Sequence, residues 1–143
     1  GYAMVIAGNS RPASGAEHHM SHFLEMDFLR RGEHIPLHGI KVGLGTMVSL
    51  AMYKRVARIP EGFAGKETVM RLAEPLPEPG WVASVLSSLG CPTKFSQVGV
   101  SEDTVRDMLF QCYKIRDRFT IMTLYHKYDL MRGAADELIA QFY

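Results

Sequence analysis

At 143 residues, with sixteen Lys and Arg against fifteen Asp and Glu, the chain has a formal net charge of +1 and no long block of one sign. That balance argues against nucleic acid or an anionic membrane surface as partner, since both are bound through clustered cationic side chains. The length suits a single domain, residues 1–143, large enough to bury a core.

The opening GYAMVIAGNS has neither a basic n-region nor an initiator methionine, so it reads as neither a secretion signal nor a natural start, and sequence upstream is expected. The stretch SRPASGAEHHMSH over residues 10–22 then places three of the six histidines, His18, His19 and His22, within five residues. From there AEHHMSHFLEMDFLRR predicts a helix over Ala16–Arg31, with Ser14 able to cap, an early acid, two late arginines and Gly32 as the stop. A second helix is predicted from residue 37 or 38 towards Pro60. Its Gly39, Gly43 and Gly45 each cost ~1 kcal/mol against alanine and are therefore expected where another backbone or a ligand comes close.

Its most apolar run, residues 42–53, is far short of the ~20 residues that cross a bilayer, and no membrane span is expected. Prolines 60, 75, 77 and 79 bracket a short helical stretch, GKETVMRLA, read as surface connection. Further helices are predicted over residues 81–89, from SEDTVRDMLFQCYKI with its capping serine, and as two short pieces in the tail divided near Asp129 or Gly133. Apolar residues recur at three and four rather than alternating, so the fold class expected is an all-α helical bundle. Cys91 and Cys112 are too few for a disulfide framework and lie outside any CxxC spacing, which fits a reducing cytoplasm.

His18 and His22 are four apart, hence on one helix face, and can reach a shared metal or ligand; His19 points elsewhere. The alternative is an ordinary solvated pair. GEHIPLHGIKVG adds His34 and His38, and a short hairpin would turn His38 back towards the first helix. A zinc-peptidase HExxH motif is disfavoured, because His19 stands where the catalytic glutamate would be.

SRPASGAEHHMSHFLEM followed by LHGIKVGLGTM resembles the metal-binding half of the sn-glycerol-1-phosphate dehydrogenase branch of a superfamily that also holds glycerol dehydrogenase, iron-containing alcohol dehydrogenases and 3-dehydroquinate synthase. LGCPTKFSQVGVS and YKIRDRFTIMTL extend the likeness towards the end of the chain. The resemblance implies a two-domain enzyme of which this chain is the C-terminal helical domain, the N-terminal NAD(P)-binding domain being absent. It implies His18 and His38 as metal ligands, a third aspartate ligand from the segment before the chain, and His22 as a catalytic residue near nicotinamide and substrate. None of Glu17, Glu25, Asp27 and Glu33 matches a ligand position. The implied cofactors are NAD(P)H and a divalent zinc, nickel or iron ion, which imidazoles do not distinguish.

The implied reaction is reversible hydride transfer between NAD(P)H and dihydroxyacetone phosphate, giving sn-glycerol 1-phosphate. Arg11 lies seven residues before His18, the offset of a substrate-binding arginine in dehydroquinate synthases, and is the phosphate candidate; Ser10, Ser14 and Lys41 are further substrate-binding candidates. Lys114, Arg116 and Arg118 are read as solvated charge, and His126 and the methionines as packing. Ile40 and Gly15, where dehydroquinate synthases have an acid and an asparagine, lower the synthase reading, and glycerol dehydrogenase has no phosphate to hold. An apolar face for the missing domain makes a homo-oligomer plausible. The competing reading is a stand-alone helical module that binds metal or a partner and catalyses nothing.

Overall fold

The computed structural model describes residues 2–9, 13–59 and 62–143. Among these, eight α-helices and no strand are found: α1 (Tyr2–Ala7), α2 (Ala16–Arg31), α3 (His38–Arg55), α4 (Lys66–Ala73), α5 (Pro79–Ser88), α6 (Glu102–Gln111), α7 (Ile121–Lys127) and α8 (Ala135–Phe142). The all-α expectation holds. The N-terminal α1, which the sequence did not announce, leaves Tyr2, Val5 and Ile6 exposed.

α2 and α3 form the central hairpin. Gly32 ends α2 in the left-handed conformation at φ 66°, its amide donating to the Leu29 carbonyl while Glu33 N donates to Phe28 O. A short connection then leads into α3, and short connections favour antiparallel neighbours. At the other end of α2 the expected cap is corrected. Gly15, not Ser14, is the N-cap, with no side-chain capping bond; its amide instead donates to Glu17 Oε1 at 2.7 Å. The Ser101 cap of α6 is as expected, accepting from Thr104 N at 3.1 Å. α5 starts at Pro79, two residues ahead of the expected range, because proline suits the first helical position, where no amide is needed.

The three glycines of α3 behave differently. A Cβ on Gly45 would lie 2.9 Å from the Glu17 carbonyl oxygen and 3.0 Å from its Cα, so this residue sets how closely α2 and α3 approach. On Gly43 it would press the Leu86 side chain of α5 at 3.3 Å, whereas at Gly39 nothing lies within 4 Å. The close-approach expectation therefore holds for Gly45, in softer form for Gly43, and not for Gly39 among the described residues.

One core joins the hairpin to the later helices: Met20, Leu24 and Phe28 from α2 meet Leu44, Met47, Val48 and Met52 from α3, with Met108, Leu109, Met122, Tyr125, Leu138 and Phe142 closing it. The Tyr125 hydroxyl, buried in that core, donates to the Met52 carbonyl at 2.7 Å, and burial pushes its pKa up to about 12. Phe95 N donates to Phe142 O at 2.9 Å, tying the chain end to the segment after α5. No helix among the described residues is long and apolar enough to cross a membrane.

Candidate functional site

His18, Ser21 and His22 occupy one face of α2 by the i, i+3, i+4 rule, and His38 is the first residue of α3. Because Gly45 lets the two backbones touch at Glu17, these side chains meet. The ring centroids of His18 and His38 are 5.3 Å apart, and those of His22 and His38 are 6.3 Å apart. The hairpin thus brings together the three histidines singled out from sequence. Among the described residues no group of three or more His, Cys, Asp and Glu is arranged to hold a metal ion.

The ring nitrogens are not equivalent. Glu17 Oε1 lies 2.8 Å from His18 Nδ1. His38 Nδ1 has the Ser21 hydroxyl at 3.4 Å. His22 Nε2 lies 3.0 Å from Nη2 of Arg116, nearly a hundred residues further along the chain. A guanidinium only donates, so His22 Nε2 accepts and the ring carries its proton on Nδ1. Burial, and next the Arg116 charge, hold the His22 imidazole below its ordinary pKa. The arrangement can offer imidazole lone pairs to a cation beside a ring bearing an N–H.

The segment after α6 supplies positive charge. Arg118 Nη1 donates to the Ser14 carbonyl at 3.0 Å, and Lys114 Nζ to Gln111 Oε1 at 2.7 Å. Lys114 and Arg118, together with Tyr113, Arg116, Asp117, Phe119 and Thr123, line a groove of about 380 Å³. The reading of this cluster as solvated charge holds for the exposed Lys114 and Arg116 and is incomplete in that Arg116 and Arg118 are also tied to α2 and its entry. Arg116 is exposed but anchored on His22, Arg118 reaches the entry of α2, and neither pairs with a carboxylate among the described residues.

Of the other sequence candidates, Lys41 is buried, with Nζ 3.4 Å from Glu25 Oε2. Ser14 is half-buried and gives its carbonyl to Arg118. Arg11 and Ser10 lie outside the described residues. His34 is exposed. His126 packs as expected, stacked on Tyr113 with ring centroids 4.0 Å apart and donating from Nε2 to Leu109 O at 2.8 Å. His19, expected to point away from the pair, is fully buried, and neither ring nitrogen is bonded among the described residues. A separate cavity of about 490 Å³ is lined by Arg55, Arg58, Phe63 and Tyr128; both arginines share the single carboxylate of Glu137.

Sequence reasoning missed three contributors. Glu17 matches no ligand position in the sequence, yet its carboxylate partners the candidate ligand His18. Ser21, on the same face as His18, was readable from spacing. Arg116 had no local signal, because its contact with His22 exists only once α2 packs beside the end of α6.

Sequence comparison places these residues among known proteins. The chain is 38% identical over 135 residues to a glycerol-1-phosphate dehydrogenase (NAD(P)+) of Halalkalibacterium halodurans, covering 85% of the chain and 34% of the relative. A protein of the same name from Bacillus velezensis is 38% identical over 130 residues, covering 87% and 32%. One from Halobacterium salinarum is 38% identical over 122 residues, covering 85% and 28%. The chain therefore spans about a third of the length of the curated relatives it matches. No protein-family model and no solved structure matches it.

Proposed function

From the premise that the chain belongs to the glycerol-1-phosphate dehydrogenase family, of whose members it spans about a third, we propose that it is the C-terminal helical domain of an NAD(P)-dependent enzyme. The reaction proposed is reversible hydride transfer between NAD(P)H and the ketone of dihydroxyacetone phosphate, giving sn-glycerol 1-phosphate. The observation that carries this reading is the meeting of His18 and His38 across the α2–α3 hairpin, 5.3 Å between ring centroids, with His22 and Arg116 beside them.

A divalent ion fits the donors of this pair. Two imidazoles on neighbouring helices are the ligand type that zinc, nickel or iron accepts, and the Nδ1 of His18 is already engaged by a carboxylate. His18 and His38 would hold the ion, with an aspartate from a preceding segment as third ligand. When bound, it supplies Lewis-acid polarisation of the ketone oxygen.

The remaining work falls to the chain's own side chains. His22, its Nε2 occupied by Arg116, keeps Nδ1–H as the donor it would offer to an oxygen that gains negative charge, and a preorganised donor of this kind favours the transition state over the ground state. Arg116 keeps further guanidinium donors for the substrate phosphate, which a planar fork engages in bidentate fashion. Arg11 and Ser14 complete the phosphate and hydroxyl contacts; Lys41, buried and held by Glu25, acts as a fixed charge beneath the site and not as a direct substrate contact. We further place the protein in the cytoplasm, on the strength of two free cysteines, and as a homo-oligomer, on the strength of exposed apolar side chains such as Tyr2, Ile6 and Trp81.

The test is oxidation of NADH or NADPH by the intact protein, supplied in turn with dihydroxyacetone phosphate and with dihydroxyacetone. Strong preference for the phosphorylated ketone is expected. Equal turnover of both would favour a glycerol dehydrogenase, and turnover by the 143-residue chain alone would contradict the two-domain reading.

A further inference from the structure

Glu17 touches the candidate centre without belonging to its expected ligand set. Its Oε1 lies 2.8 Å from His18 Nδ1 and accepts the Gly15 amide at 2.7 Å. The carboxylate is thus held from two sides, in a side chain only 23% exposed, as is that of His18. An ionised carboxylate can only accept, so the neutral His18 ring beside it must protonate Nδ1 and leave the Nε2 lone pair free. The backbone under this contact is fixed as well, because Gly45 of α3 abuts the Glu17 carbonyl and Cα.

We propose that Glu17 is a positioning residue that selects the tautomer and ring orientation of His18, so that Nε2 is the nitrogen presented to a divalent cation. The role rests on reading His18 as a metal ligand, and its physical basis is general. A ligating imidazole whose other nitrogen donates to a carboxylate is a stronger, better-aimed donor, and loss of such a partner costs ~10- to 100-fold in metal affinity. The same side chain explains why an acid stands at the start of α2 although it matches no ligand position. It serves the helix N-terminus through Gly15 and the site through His18.

The experiment uses the intact protein, third ligand included, labelled with 15N-histidine, with zinc as the probe, and two variants. Glu17→Gln keeps an oxygen able to accept from Nδ1–H, while Glu17→Ala removes it. In the metal-free protein at neutral pH, long-range 1H–15N spectra are expected to show His18 protonated on Nδ1 in the parent and in Glu17→Gln, and shifted towards the Nε2–H form in Glu17→Ala. Zinc affinity by calorimetry is expected to fall ~10- to 100-fold in Glu17→Ala and less in Glu17→Gln.

An Nε2–H tautomer in the parent would overturn the proposal, as would equal zinc affinity in all three proteins. If Glu17→Ala fails to fold, the parent spectrum and the Glu17→Gln pair still decide it. Should the tautomers come out as expected while zinc leaves the His18 and His38 resonances unmoved, the metal reading fails and the Glu17–His18 hydrogen bond alone survives.

Discussion

Gly45 and Glu17 are in backbone contact: a side-chain carbon on the glycine would sit 2.9 Å from the glutamate carbonyl oxygen. Backbone cannot step aside as a flexible side chain can, so Gly45→Ala must part α2 from α3. Overpacking of this kind costs about 1–3 kcal/mol, more than the ~1 kcal/mol that alanine gains in a helix interior. Gly39→Ala meets nothing within 4 Å among the described residues and is expected to stabilise by about 0.4–1 kcal/mol. Chemical denaturation of the two variants checks the opposite signs.

Arg116→Gln removes the guanidinium that lies 3.0 Å from His22 Nε2. If that group also holds the substrate phosphate, a charge-assisted contact worth about 1.5–3 kcal/mol is lost. Under the proposed reaction, KM of the intact protein for dihydroxyacetone phosphate should then rise about 10- to 150-fold, while KM for dihydroxyacetone, lacking the phosphate, changes much less. Steady-state kinetics on the two ketones reads the difference.

His126 gives a pH dependence of definite sign. Burial, the largest cause, holds its imidazole below the ordinary value of 6.5, outweighing the bond to Leu109 O, which acts the other way; Lys114 lowers it further and Asp129 raises it. The unfolded chain therefore takes up a proton before the folded one does. The corresponding stability is complete above about pH 6.5 and declines as pH falls through the folded pKa. Glu and Gln variants differ in charge, so the useful substitution is His126→Gln, which keeps a donor for Leu109 but does not titrate. Its melting temperature, followed from pH 7.5 to 5, should decline less steeply than the parent's.

Much of this was legible in the sequence, for reasons that can be named. The start and stop of α2 are local events, carried by residues within one turn of each other, and Gly32 behaves as its position implies. His18, His22 and His38 were legible because helix spacing and a short hairpin limit where they can go. Capping was misread at Ser14 because the choice between Ser14 and Gly15 depends on Glu17 reaching back to the Gly15 amide, a competition that residue preferences do not weigh. Gly39 and Gly45 look alike in sequence and differ only in what the neighbouring helix places opposite them. Arg116 was read as solvated charge because its contact spans distant segments and has no period or motif to report it.

The central claim is that His18 and His38 share one divalent cation. The most direct measurement is diffraction at the zinc absorption edge from crystals of the protein grown with saturating zinc. One anomalous peak is expected between the two rings, about 2.0–2.1 Å from a nitrogen of each. Zinc bound to either ring alone, or only elsewhere on the surface, would contradict it.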